Sequence, residues 1–67
     1  MKNTIKVQRA IHNMTQEELA KKTGVSRQTI NTIESGKYVP STVLALKMAG
    51  IFNVRVEEIF SLEAADE

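Results

Sequence analysis

The side chains best suited to recognise another molecule lie close together, at Ser26, Arg27, Gln28, Asn31 and Thr32. On a helix these positions share one face, because residues three and four apart stack along the axis. They are mid-length hydrogen bonders. A face that only meets water usually carries Glu and Lys at i, i+4, and no such pair lies between Ser26 and Ile33. Arg can bind both acceptors of a guanine edge, and Gln or Asn can pair bidentately with adenine. On these residues alone two readings stand: a face that reads base edges, and a polar helix face with no ligand.

Other chemistries fit less well. His12 is the only imidazole, and no carboxylate pair or Lys is placed with it, whereas general acid–base catalysis needs a positioned partner. It is expected at a helix end, facing solvent. Ser26 lacks a G-x-S-x-G elbow and reads as a helix cap. Glu17–Glu18 and Glu57–Glu58 fall in helix first turns, where carboxylates suit the dipole. Three scattered glycines make no phosphate loop. With no cysteine and one histidine there is neither a disulfide nor a ligand set for structural zinc. The sequence therefore predicts no enzyme, no metal and no cofactor.

Five helices are predicted to carry the polar face. The first covers 4–13, with Val7, Ala10, Ile11 and Met14 on one side, Ile11 in the core, and Asn13 as its left-handed end. Thr15 and Glu18 form a capping box for the second, which turns Leu19 and Ala20 inward and stops at Gly24. Ser26 caps the third, with Ile30 and Ile33 as its buried stripe, and Gly36 ends it. Lys37–Pro40 is an extended turn, since the residue before proline avoids helix. Ser41 caps a fourth helix running to about Phe52, with Leu44, Ala45, Met48, Ile51 and Phe52 apolar and Asn53 closing it. A short fifth helix at about 56–60 rests on Ile59 and Phe60, behind a weak cap at Arg55. Short strands near 2–5 and 61–64 fit the ends, and 63–67 is expected to fray.

Within this plan, Gln16–Ser35 holds two helices joined at Thr23-Gly24-Val25. Ala20 is small enough for a close crossing, Gly24 takes φ > 0, and Leu19, Val25, Ile30 and Ile33 aim at the crossing. That spacing is what a helix-turn-helix needs. Thr23 stands where an apolar residue is common.

Sixty-seven residues, 42% of them apolar, allow one small domain that is marginal alone. With no staple available, stability rests on helix packing, a second subunit, or both. No apolar run reaches 18 residues, and the N-terminus lacks the apolar stretch of a signal peptide, so a cytoplasmic, nucleoid-associated location is expected and membrane partners are not. Formal net charge is only +1, but it is unevenly spread. All nine basic residues lie at or before Arg55, with only Glu17, Glu18 and Glu34 beside them, a net of +6; residues 56–67 carry −5. A basic body can meet a polyanion while the acidic tail points away.

The stretch TQEELAKKTGVSRQTINTIESGKYVPS, followed by ALKMAGIFNVRVEEIF, resembles the phage repressor and Cro-type helix-turn-helix family, also called the xenobiotic-response-element family. The resemblance covers about residues 3–62. It implies an all-α, five-helix, lambda-repressor-like domain that docks its third helix in the major groove of double-stranded DNA, usually as a homodimer on a near-palindrome. By position it implies base reading by Arg27, Gln28, Thr32 and Asn31. It implies backbone contacts by Gln16, Ser26, Thr29, Lys37 and Tyr38, Tyr38 having packing against the fourth helix as its other role. Arg9 and Glu34 match a structural ion pair. Gln8 departs from the family in place of a large apolar residue. Val7, Ile11 and Val43 are apolar where relatives are often charged, which leaves core and subunit contact both open for Val7 and Val43. The function implied is a transcription regulator, as a repressor. The other reading is a protein-interaction module, such as an antitoxin that neutralises a partner protein.

Overall fold

A computed structural model describes all 67 residues, Met1–Glu67. The chain runs β1 (Lys2–Asn3), α1 (Ile5–Ile11), α2 (Gln16–Thr23), α3 (Arg27–Glu34), α4 (Thr42–Phe52), α5 (Val56–Ile59) and β2 (Phe60–Ser61), then a 3-10 turn at Ala64–Asp66. The two strands join the chain ends antiparallel, Lys2 opposite Ser61 and Asn3 opposite Phe60. No helix is long and apolar enough to cross a membrane.

Local chemistry sets most boundaries. Thr15 Oγ1 accepts the Glu18 N–H at 3.0 Å while the Glu18 carboxylate accepts the Thr15 N–H at 3.1 Å. The Ser26 and Ser41 hydroxyls accept from the N–H groups of Thr29 and Leu44, each at 3.1 Å. Each such cap stabilises its helix by about 1 kcal/mol. Arg55 supplies no capping side chain, but the Glu58 carboxylate accepts its N–H at 2.7 Å. Asn13 and Asn53 adopt φ of 52° and 55°. Behind them Met14 N–H reaches Arg9 O and Val54 N–H reaches Ala49 O, which closes α1 and α4 with crossed terminal bonds.

The core gathers Ile5, Leu19, Ala20, Ile30, Ile33, Leu44, Met48, Ala49, Phe52, Ile59 and Phe60. Every helix contributes, so α3 cannot tilt without disturbing side chains from its neighbours. Phe60 serves this core from β2, one residue beyond the end of α5.

One expectation fails, the placing of Ile11 in the core. Ile11 is 67% exposed and Val7 56%, so neither is core. The side of α1 turned to the body carries Ile5 and half-buried Gln8 and Arg9, while His12, just past the helix end, is exposed. The His12 ring lies 5.5 Å from the ring of Phe52. Ile5, Gln8 and Arg9 have the i, i+3, i+4 spacing of an inward face, yet only Ile5 is apolar. The 63–67 segment contacts the start of the chain. The Asp66 carboxylate accepts the Glu63 N–H at 3.0 Å, and both carboxylates sit 3.1 Å from the Met1 ammonium.

Candidate nucleic-acid interface

The α2–α3 unit turns at Gly24, where φ is 78°. A Cβ there would meet nothing within 4 Å, so glycine is required by backbone conformation and not by space. Thr23, just before it, is 2% exposed. Its hydroxyl donates to Leu19 O at 2.8 Å and Ala20 O at 3.2 Å, which lets a polar residue occupy an apolar position.

Burial of Ile30 and Ile33 rotates the rest of α3 outward. Arg27, Gln28 and Asn31 are exposed, and Thr29 and Thr32 are half-buried. Gln16, Arg27, Gln28 and Asn31 line one shallow polar concavity. Gln16 and Arg27 also border an adjoining hollow with Thr15 and Glu17. At the start of α2 the Gln16 and Glu17 N–H groups lack intrahelical acceptors and favour an anion, while the Glu17 carboxylate beside them opposes one.

The hydroxyls are partly committed. Ser26 Oγ caps α3 and lies 2.9 Å from Thr29 Oγ1. The Thr32 hydroxyl donates to Gln28 O, which leaves its acceptor lone pairs and methyl group for a ligand.

Beyond α3, Gly36 N–H reaches Ile33 O at 3.0 Å and Lys37 N–H reaches Thr32 O at 3.1 Å. With φ of 80° at Gly36 this is a Schellman closure, and it fixes where the following loop leaves the helix. Lys37 and Tyr38 are both exposed, Tyr38 by 54%.

One polar network supports this face from behind. Arg9 Nε donates to Glu34 Oε2 at 2.7 Å and Arg9 Nη2 to Oε1 at 3.0 Å, while Nη1 donates to Met14 O at 3.1 Å. The hydrogen bonds to Glu34 raise the Arg9 pKa further, against a smaller opposing effect of burial, and keep the guanidinium charged. Gln16 Nε2 donates to Glu34 Oε1 and to Asn31 Oδ1, each at 3.3 Å. Asn3 adds a tie that sequence reading missed: its Nδ2 donates to Ile33 O at 2.9 Å, and its Oδ1 accepts the Ile5 N–H at 3.2 Å. No local pattern could reveal the first bond, which joins residues 30 apart in the chain.

The model of the helix-turn-helix family matches residues 5–59. The chain belongs to the Cro and repressor-type helix-turn-helix family. This helix-turn-helix protein is 62% identical over 63 residues to a helix-turn-helix-type transcriptional regulator of Methanocaldococcus jannaschii, covering 94% of this chain and 96% of that one. It is 48% identical, over the same shares, to another of Bacillus subtilis. Among solved structures it is similar to the restriction-modification controller protein of Aeromonas hydrophila. There the TM-score is 0.75 and the identity 28%, covering 84% of this chain and 85% of that one. It is a transcriptional regulator with a DNA-binding helix-turn-helix, not an enzyme.

Proposed function

We propose that this regulator binds a specific double-stranded DNA operator as a homodimer and represses by occluding a promoter in the cytoplasm. One observation carries the reading. The apolar side of α3 is locked into the core, and Arg27, Gln28 and Asn31 stand exposed on a concave polar face beside Gln16. Arg27 and Gln28 read bases, with Asn31 and Thr32 one turn on. Gln16 and the starts of α2 and α3, with Ser26, Thr29, Lys37 and Tyr38, hold the sugar-phosphate backbone. Two subunits would place α3 in successive major grooves about 34 Å apart.

The other reading is a module whose main task is to bind a partner protein. Exposed Val43, Leu46 and Leu62 favour it, although such side chains also suit a subunit contact. Binding selection from a random duplex pool at two salt concentrations, with the Arg27→Ala, Gln28→Ala double variant alongside, separates the two. Enrichment of one near-palindrome, lost in the variant, is the expected result. Weak, salt-erased binding that is equal for both proteins would reject operator reading in favour of the protein partner.

A further inference from the structure

The Asn3 side chain joins two helix ends, the start of α1 and the finish of α3. Its Oδ1 accepts the Ile5 N–H at 3.2 Å, where Thr4 provides no side-chain cap. Its Nδ2 donates to Ile33 O at 2.9 Å and lies 3.4 Å from Glu34 O, the last two carbonyls of α3. A donor on one side and acceptors on the other leave the amide one orientation. No backbone N–H reaches Glu34 O, and Ile33 O is the carbonyl that also takes the Gly36 N–H in the closure of α3. The amide therefore sits on the bonds that set where Lys37 and Tyr38 leave the helix. Arg9 holds the Glu34 side chain, and Asn3 holds the backbone of the same turn.

Asn3 is itself held from elsewhere. It stands opposite Phe60 in the strand pair, and Phe60 belongs to the core. One residue on, the Thr4 N–H reaches Ile59 O and the Thr4 hydroxyl donates to Glu58 O, each at 2.8 Å. We propose that Asn3 is a positioning residue for DNA binding. It passes the fixed place of the β1–β2 pair to the end of α3, and so holds the backbone from which Lys37 reaches the sugar-phosphate chain. This rests on the reading of Lys37 as a backbone contact. Asn3 is half-buried and acts through Lys37, without touching DNA.

The test uses Asn3→Ser. Its shorter side chain still accepts the Ile5 N–H but cannot span to Ile33 O, and the charge is unchanged. Asn3→Asp, which keeps the acceptor and loses the donor, is the second variant should Asn3→Ser not melt cooperatively. It is compared with and without Lys37→Ala, so that its added charge cancels. Titrations at several salt concentrations, well below each melting temperature, compare wild type, Asn3→Ser, Lys37→Ala and the double variant. The probes are a duplex enriched by the wild type from a random pool and a scrambled duplex. Asn3→Ser is expected to lower the salt slope by about one on both, as Lys37→Ala does, and to leave the selected bases unchanged. The double variant should bind no more weakly than Lys37→Ala alone, because both changes remove one contact. A purely structural role would lower Tm and leave the slope where it was. An unchanged slope for Asn3→Ser, or losses that add in the double variant, would overturn the inference. A Lys37→Ala protein with the wild-type slope would also overturn it, but that result removes Lys37 itself from the interface, which the other two do not.

Discussion

Arg9 and Glu34 meet through two N–H···O bonds of 2.7 and 3.0 Å, joining the last turn of α1 to the last residue of α3. The pair is largely out of water, with side chains 14% and 9% exposed. Glu34 sits at a helix C-terminus, where the dipole disfavours a negative charge, so the guanidinium opposite it is what makes the position tolerable.

Breaking this pair from one side should therefore cost more than removing it. Arg9→Met leaves a half-buried carboxylate with only the Gln16 amide, a loss of about 2–3 kcal/mol. The Arg9→Met, Glu34→Met double variant should lose less than the single one, because no charge is left unpaired. Urea denaturation of the set measures both. A double variant less stable than Arg9→Met would show that the pair contributes beyond its own desolvation.

The start of α2 makes part of the stability depend on pH. The Thr15 backbone N–H, then its hydroxyl, then Lys22 and Lys21 hold the Glu18 carboxyl below the ordinary glutamate value, against a smaller opposing effect of burial. A pKa depressed in the folded state gives a contribution that is whole above the unfolded value, about 4.3, and is lost as pH falls through the folded one. Glu18→Gln should flatten the acid limb of a melting-temperature profile in that window and leave its neutral-to-alkaline part parallel to wild type. Identical acid limbs would rule out Glu18 as a source.

Thr23 provides a test of its buried hydroxyl. The acceptors, Leu19 O and Ala20 O, also take helix N–H groups, Gly24 N–H reaching Ala20 O at 2.9 Å. Thr23→Val should therefore change stability by less than about 1 kcal/mol, since no buried partner is left unpaired. Thr23→Ala removes the methyl as well and should cost more. A Thr23→Val loss as large as that of Thr23→Ala would show that the hydroxyl, not the methyl, holds the turn.

On DNA, Arg27 and Lys37 should behave differently. Arg27→Ala should cost about 1–3 kcal/mol on the selected operator and relax the choice at one base pair. Lys37→Ala should weaken binding to all sequences alike and lower the salt slope by about one. Titrations at several salt concentrations, on the operator and a scrambled duplex, distinguish them. Equal effects on both duplexes for Arg27→Ala would remove it from base reading.

Much of the fold could be read from short-range chemistry. A cap and its N–H lie three residues apart, so Thr15–Glu18, Ser26 and Ser41 announce their helices, and Asn13, Gly24 and Asn53 supply the left-handed endings. The inward rows of α2, α3 and α4 are apolar in type and spacing. α1 misled because its inward face is held by Ile5 and by Arg9 on Glu34, while the apolar Val7 and Ile11 face solvent. The side chains on the face of α3 were legible as a set. Their hydrogen-bond polarity was not, since it depends on Gln16, Asn31 and Glu34 meeting across two helices.

The last prediction contrasts two glycines that both have open space around them. Gly24 has φ of 78°, so Gly24→Ala forces a side chain into left-handed backbone and should destabilise by about 1–2 kcal/mol. Gly50 lies inside α4, is exposed and has nothing within 4 Å of the Cβ position. Gly50→Ala gains helix propensity and restricts the unfolded chain, which should stabilise by about 0.5–1 kcal/mol, or a few degrees in Tm. Melts at several protein concentrations add a second readout. If Gly50→Ala raises Tm at low concentration but lowers it at high concentration, the bare backbone of α4 at Gly50 is used by a second copy of the chain. A rise at every concentration leaves Gly50 outside the subunit contact.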